Sequence, residues 1–561
     1  MVITGLPDIA LAEDSAGFEG PLFDAFAAVA ARQPDHLAVD DGTVRLSYAE
    51  LRERALAVGA RIADVVPAHG LVGVLVPTDA LCPVAWLACL AARRPFLPFD
   101  PHLPPARNQA IIAEAGLAAA IVPATMAAGA SWLPADLPRI SSAQAPASEP
   151  ARLSLGRPAG DVGMVLFTSG STGRPKGIAL HERSVLRRAV HDRMTCDLGP
   201  DDRLLSLHPP PTSAGARDVL DALLSGASLH LVDLKRDGLA QALARLHSDG
   251  ITICAAVPVV VRAMLGMDGI AGALRSLRII RLSGDAVMGS DIEALARLLP
   301  PPARVLLTFG MTEAGVLLER MIDPRTPIET GRIAAGTPVP GQTISVEDNA
   351  GNPVGPGETG TLVIRGRYLA LGHWVAGRLD AAAFPPDPSV LGDRCYRSGD
   401  VVLRRADGML VPIGRADRQV KINGLRVEPA DTEAALRSLS GIADAAVLVH
   451  GPAGAPVLVA FAVPVPGQRS PRDAIRLARG WRAALAALLP PQLVPARILV
   501  VPAIPLLASL KPDLLALRAS LSEREVVPGV LGRTWTRLRD AGRSVLAECM
   551  QPEVRHDDFV P

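Results

Sequence analysis

The chain has 561 residues, too many for one hydrophobic core; at about 100–200 residues per domain, two to four folding units are expected. Lys plus Arg and Asp plus Glu both number 57, a balance that argues against a general nucleic-acid or anionic-membrane binder, whose footprint is basic. The six cysteines (Cys82, Cys89, Cys196, Cys254, Cys395, Cys549) include no Cys-x-x-Cys pair, which weakens zinc and redox readings and fits a reduced cytoplasm.

Residues 1–20 read as a loose leader without the basic-then-apolar pattern of a signal peptide. Residues 22–32 have helical periodicity. Asp40-Asp-Gly42 between two short apolar runs predicts a hairpin, and Ser47 is a good N-cap for an amphipathic helix. The apolar region 70–92 is broken by Pro77, Asp79 and Pro83, so it predicts a buried strand and helix rather than a membrane span. Strands and helices then alternate through Ile121, Val165, Leu204, Leu229, Ile253, Ile279 and Val305, which implies parallel sheets covered by helices. After about residue 335 the texture turns to short strands and turns. From Gly414 a compact mix of strands and helices follows. The expected fold is α/β: a large N-terminal domain of parallel-sheet subdomains plus a small β-rich unit, and a smaller mobile α+β C-terminal domain.

The densest signal is Phe167-Thr-Ser-Gly-Ser-Thr-Gly-Arg-Pro-Lys-Gly177, which follows an apolar strand. Gly170, Gly173 and Gly177 permit tight turns at positive φ. Thr168, Ser169, Ser171 and Thr172 add hydroxyls, and Lys176 adds a positive charge. Such a loop suits a polyphosphate. It is no Walker loop, because Lys176 lies between Pro175 and Gly177.

Further motifs follow in a fixed order: Phe99-Asp-Pro-His-Leu-Pro-Pro-Ala-Arg107, Thr308-Phe-Gly-Met-Thr-Glu313, Tyr396-Arg-Ser-Gly-Asp400 and Gly414-Arg-Ala-Asp-Arg-Gln-Val-Lys-Ile-Asn-Gly424. With the Gly/Ser/Thr loop, this series resembles the adenylate-forming superfamily, most closely the adenylation domains of nonribosomal peptide synthetases, from Leu46 to about Lys511. The resemblance implies an ATP- and Mg²⁺-dependent ligase. It assigns Thr168, Ser169, Gly170, Ser171, Thr172, Gly173 and Lys176 to the β- and γ-phosphates. Phe309 would stack on adenine, with Ser283, Gly284, Asp285 and Ala286 as the adenine-binding turn. Thr312 would bind the α-phosphate and Glu313 would ligate magnesium, although a Thr-Glu pair taken alone is most often a helix cap. Asp400 would bind the ribose hydroxyls, and Arg415 the ribose or phosphate. Asp417 would be the hinge between a core domain at 21–415 and a lid at 416–515, with Lys421 and Gly424 facing the site after rotation. Lys511 would bridge the substrate carboxylate and α-phosphate. Leu510 stands where the family usually has glycine.

The implied acyl pocket departs from the family pattern. Registering Ala222-Leu-Leu-Ser-Gly226 puts Ser213 where amino-acid-activating relatives carry the aspartate that pairs with the α-ammonium. An uncompensated ammonium in a pocket is costly, so a standard α-amino acid is disfavoured. The same register adds Ala214, Arg217, Ala255, Arg281, Ser283, Thr308, Val316 and Leu317. Two arginines suit an anionic group or a carbonyl. The opposing reading sends Arg217 or Arg281 to solvent, or shifts the register so that Asp218 pairs with an ammonium.

The resemblance further implies a small carboxylic acid substrate, the phosphopantetheine thiol of a carrier protein as acyl acceptor, and in some cases a small activator protein. It implies a cytoplasmic enzyme with no nucleic-acid or membrane partner. Residues 516–561 read either as the start of a carrier domain cut short, through His556-Asp-Asp-Phe-Val560, or as an ordinary tail. An acyl-CoA ligase and a nucleotide-binding scaffold without catalysis are the alternatives. Glu313, Asp400, Asp417 and Lys511 are all present, which counts against the scaffold.

Overall fold

The computed structural model describes residues 3–4, 21–103, 105–126, 130, 132–141, 162–169, 175–415, 420–422, 425–427, 429–451, 457–465, 471–489, 493–507 and 510–525. Two large sheets carry the N-terminal part. The nine-stranded sheet runs Thr337–Pro338, Gly315–Ile322, Arg304–Met311, Ile279–Ser283, Ile253–Ala256, Arg203–Ser206, Ser228–Leu231, Leu37–Asp40 and Arg45–Ser47. Its strands from Arg304–Met311 to Leu37–Asp40 are parallel, as the alternating pattern predicts, while Gly315–Ile322 runs antiparallel. The eight-stranded sheet has parallel strands Val162–Ser169, Phe96–Pro98, Leu71–Val74, Leu117–Ile121 and Arg139–Ile140, and antiparallel additions beyond Val162–Ser169.

One apolar core is shared by five helices between these sheets: Leu22–Arg32, Tyr48–Val65, Leu81–Ala91, Glu182–Cys196 and Ser213–Ser225. Helix Leu81–Ala91 is buried from Cys82 to Ala91, which is why its sequence is apolar on every side. Among the described residues no helix is long and apolar enough to cross a membrane. Helix Tyr48–Val65 begins with the expected cap: Ser47 accepts from the Glu50 amide and Glu50 reaches back to the Ser47 amide, a capping box that stabilises by about 1 kcal/mol. The Asp40–Gly42 hairpin forms, with Asp41 accepting from the Thr43 and Val44 amides.

A five-stranded antiparallel sheet follows, Ile3–Thr4, Thr343–Glu347, Thr359–Gly366, Arg394–Arg404 and Leu410–Arg415. Ile3 and Thr4 pair with Ile344 and Thr343, so this part of the leader is an edge strand. The C-terminal part has its own three-stranded sheet, Ile442–His450, Val457–Pro464 and Arg497–Val500, with separate cores on its two faces. Leu517 and Leu521 of helix Leu514–Glu525 are buried in one of those cores. A tail drawn from residue 516 therefore starts inside a packed helix; residues 526–561 lie outside the described residues.

Candidate active site

The Gly/Ser/Thr loop joins two antiparallel strands, Val162–Ser169 and Pro175–His181, with Thr168 opposite Lys176. The two strands it joins thus form a β-hairpin. Gly170, Ser171, Thr172 and Gly173 lie outside the described residues, as does the Ser169 side chain. Gly177 does not take the positive φ expected of it. A Cβ there would lie 2.8 Å from Trp374 Cβ and 2.9 Å from the Trp374 carbonyl, so glycine is required by the neighbouring strand Gly372–Val375.

Thr312 and Glu313 form the turn between strands Arg304–Met311 and Gly315–Ile322, so the helix-cap reading of this pair is wrong. The register slips between Phe309 and Gly310. A Cβ on Gly310 would lie 2.2 Å from the Gly315 carbonyl, so this tight crossing needs glycine. The turn carries Glu313 to Lys176 and Tyr396: Tyr396 Oη donates to Glu313 Oε1 at 3.2 Å, and Lys176 Nζ stands 3.8 Å from the same oxygen. Tyr396 is stacked on Phe384 at 4.8 Å, which fixes the phenol. One carboxylate lining a cleft beside a lysine and a phenol fits magnesium, which takes oxygen ligands and fills its remaining positions with phosphate and water oxygens.

Asp400 is half-buried opposite Arg415, and its amide donates to Ser398 Oγ at 3.0 Å. The Arg415 and Lys421 side chains, Asp417 and Gly424 lie outside the described residues. Phe309 is half-buried. The turn at Gly284 follows strand Ile279–Ser283; Asp285 is exposed and accepts from the Ala286 amide.

The Glu313 turn opens on a cleft of about 780 Å³, including its mouth. Its other wall is helix Ser213–Ser225. Thr212 caps that helix at the Gly215 amide, and Gly226 ends it in the left-handed region. Tyr48 Oη donates to the Ala227 carbonyl at 2.8 Å and secures the helix end. Ser213 and Arg217, one turn apart, both line the cleft, as do Val316, Thr312 and Glu313.

Behind this wall lies a buried charge network. Arg217 Nε donates to Asp218 Oδ1 at 3.2 Å and Nη1 to Thr308 Oγ1 at 3.0 Å. Arg281 Nη1 donates to Asp218 at 3.2 Å and to Asp221 at 2.9 Å. Arg188 Nε donates to Asp192 at 3.3 Å. Burial opposes ionisation of Asp218, yet Arg217, His208 and Arg281 hold its carboxyl well below the usual range. Asp192 is likewise penalised by burial, but Arg281, Arg188 and Arg217 hold it down at about 2. Asp221 goes the other way: burial, reinforced by the Asp192 charge, raises it well above an ordinary carboxylate.

Several expectations need correcting. Arg281 has no exposure and does not line the cleft; it neutralises the carboxylates behind the wall. It also does not face solvent. Asp218 is fully buried and engaged by Arg217, Arg281, His208 and Ser206, which leaves no room for an ammonium. Ala255 and Leu317 are sealed in the core, Ala214 is half-buried away from the cleft, and Ser283 is held by His208 at 3.1 Å. Lys511 is not among these corrections: it is exposed and lies off the Glu313 cleft, and its expected role depends on rotation of the C-terminal unit. Leu510 before it sits at φ 60° and packs on the large domain, walling a second cavity near His208 and Asp100. That left-handed backbone costs a non-glycine residue roughly 1 kcal/mol, offset here by the packing of the leucine side chain.

The sequence reading missed Arg188, Asp192, Asp221, His208 and Tyr396 as individual residues. One signal was available: Arg281 interrupts a strand that is otherwise buried and apolar, which calls for a buried partner. Among the described residues, Asp40, His230 and Asp249 are close enough to share a metal, but Arg245 donates to Asp40 Oδ1 at 2.8 Å and also to Asp249, so a guanidinium already supplies the cation.

The AMP-binding enzyme family matches residues 26–374. CymA of Salinispora arenicola is 36% identical over 498 residues, 87% of this chain and 6% of that protein. Novobiocin biosynthesis protein H of Streptomyces niveus is 32% identical over 504 residues, covering 86% of this chain and 79% of that protein. A four-domain nonribosomal peptide synthetase crystallised with AMP and glycine superimposes with a TM-score of 0.75 at 26% identity, over 88% of this chain and 36% of that one. The chain thus spans a small part of CymA and most of novobiocin biosynthesis protein H. With the family match, this relative and the superposition, the chain belongs to the AMP-binding, adenylate-forming enzyme family.

Proposed function

We propose that this chain adenylates a carboxylic acid with Mg-ATP and passes the acyl group to the phosphopantetheine thiol of a carrier protein. The convergence of Lys176, Glu313 and Tyr396 at one end of a cleft whose other wall is Ser213 and Arg217 carries this reading. A substrate carboxylate oxygen attacks the α-phosphorus, and the bond to pyrophosphate breaks. Thr312 and Lys176 orient the phosphates, and the Gly/Ser/Thr loop holds the leaving pyrophosphate. Magnesium on Glu313 would neutralise phosphate charge. Asp400 holds the ribose. In the second step the carrier's sulfur bonds to the acyl carbon and AMP leaves. Such transfers gain mainly from positioning and electrostatics. Lys511 would reach the site by rotation of the C-terminal unit about Asp417. Ser213 in place of a carboxylate supports an acid other than a standard α-amino acid.

Carboxylate-dependent exchange of labelled pyrophosphate into ATP over a broad acid panel tests this. ATP binding without exchange on any acid would defeat it. Comparing free coenzyme A with a phosphopantetheinylated carrier as acceptor separates carrier loading from an acyl-CoA ligase.

A further inference from the structure

The closed end of the cleft has more positive charge than its own carboxylates balance. Burying a guanidinium is expensive unless every nitrogen finds a partner. Arg217 is 6% exposed and lines the cleft, and its Nη2 is buried with no hydrogen-bond partner. Arg188 meets Asp192 through Nε and lines the same cleft. Burial depresses Arg188 below the ordinary arginine value, and Arg217 and Arg281 add to this against the pull of Asp192.

Asp221, which also lines the cleft, and the carboxylates behind it do not restore neutrality. Asp192 and Asp218 are held ionised, while Asp221 is pushed toward its neutral form. Even with Asp218 and Asp192 beside the arginines, Arg217 Nη2 is left without an acceptor. His191, also on the cleft, leaves the deficit in place. Burial lowers its basicity, but the Glu319 carboxylate at 2.7 Å raises it overall, and that charge is spent on the histidine. What is missing is one negative charge with in-plane acceptor oxygens beside Arg217 and Arg188.

We propose that the acid activated here carries a second anionic group, a distal carboxylate, which docks on Arg217 and Arg188 while the reacting carboxylate lies at Thr312. This rests on the adenylation reading and names its substrate class. Guanidinium and carboxylate match as planar forks, and a site with a buried unpaired donor rejects an analogue that lacks the acceptor. Ser213 sharpens the argument: a carboxylate one helical turn before Arg217 would neutralise it internally, and serine does not.

The test uses the full chain and the α,ω-dicarboxylic acids from malonate to adipate, each beside its monomethyl ester. Pyrophosphate exchange and equilibrium binding with a non-hydrolysable ATP analogue are read in parallel. At least one diacid should exceed its ester about 100-fold in kcat/KM. Arg217→Gln and Arg188→Gln should raise KM for the diacid about tenfold or more while KM for ATP stays put, with Arg217→Lys intermediate. Ser213→Asp keeps every buried pair and should weaken diacid binding as strongly, which separates recognition from misfolding. Esters or neutral acids that react as well as the diacids would overturn the proposal and leave adenylation standing. Arginine-dependent diacid binding without exchange on any acid would keep the anion site and defeat adenylation. Diacids that neither bind nor react would overturn the anion site.

Discussion

Tyr396 Oη donates a 3.2 Å hydrogen bond to Oε1 of Glu313, tying the β-rich unit to the turn that carries the candidate magnesium ligand. The phenol is itself fixed by stacking on Phe384. Tyr396→Phe keeps the ring and removes only the donor. The Mg²⁺ concentration for half-maximal pyrophosphate exchange should rise about 10- to 100-fold, with folding intact by thermal melting. An unchanged magnesium titration would show that Glu313 needs no such support.

Lys176 stands 3.8 Å from Glu313 and also acts on His373. Burial lowers the His373 imidazole and the Lys176 charge lowers it further. Lys176→Met should weaken ATP binding about tenfold or more and let the His373 titration move upward, read by NMR of the ring protons. A His373 titration that stays in place would remove the lysine from this cluster.

Ser213→Asp supplies a carboxylate on the cleft wall. If the family register holds, the variant should gain exchange activity with small α-amino acids relative to the parent. Strong exchange by the parent with ordinary α-amino acids would defeat the reading of Ser213.

Asp221 links stability to pH. Its folded-state value is raised by burial and by Asp192, so the native protein holds a proton that the unfolded chain releases. The contribution is full below the ordinary carboxylate range and is lost as pH rises toward the raised value. Asp221→Asn removes this linkage. The melting temperature of the variant relative to the parent should climb as pH rises above the ordinary carboxylate range. A difference that is flat with pH would mean that Asp221 is ionised in the fold.

Gly177→Ala is a structural control. The added methyl meets the Trp374 backbone at 2.9 Å, which cannot yield as a flexible side chain would. A loss of roughly 1–3 kcal/mol in stability is expected, with the strand pair rather than the phosphates as its cause. A stable variant that has lost only ATP affinity would reverse that assignment.

What the sequence made legible was local or periodic. The Asp40–Gly42 hairpin, the Ser47 cap, the buried helix Leu81–Ala91 and the parallel alternation all follow from short-range patterns. What stayed hidden depends on strands distant in the chain meeting in space. Nothing near Glu313 announces Tyr396, and Lys176 reaches Glu313 from the hairpin's second strand, which follows the Gly/Ser/Thr loop. The charge network was hidden for another reason. Arg188 and Asp192 at i and i+4 look like an exposed helical ion pair, yet Asp192 is fully buried. The pocket register treated Arg281 as a wall residue, whereas it is fully buried against Asp218 and Asp221.

The Arg217–Asp218–Arg281–Asp221 chain also constrains the history of this pocket. Replacing Arg281 takes a donor from Asp218 and from Asp221 at once, and neither has water to turn to, at a cost of about 3–5 kcal/mol. A lineage cannot drift from this pocket to an apolar one through single, individually tolerated steps. It must exchange several charges together, or first gain stability elsewhere. Relatives that accept uncharged acids should therefore differ at the positions of Arg217, Asp218, Asp221 and Arg281 as a set, and intermediates carrying only part of the set should be rare.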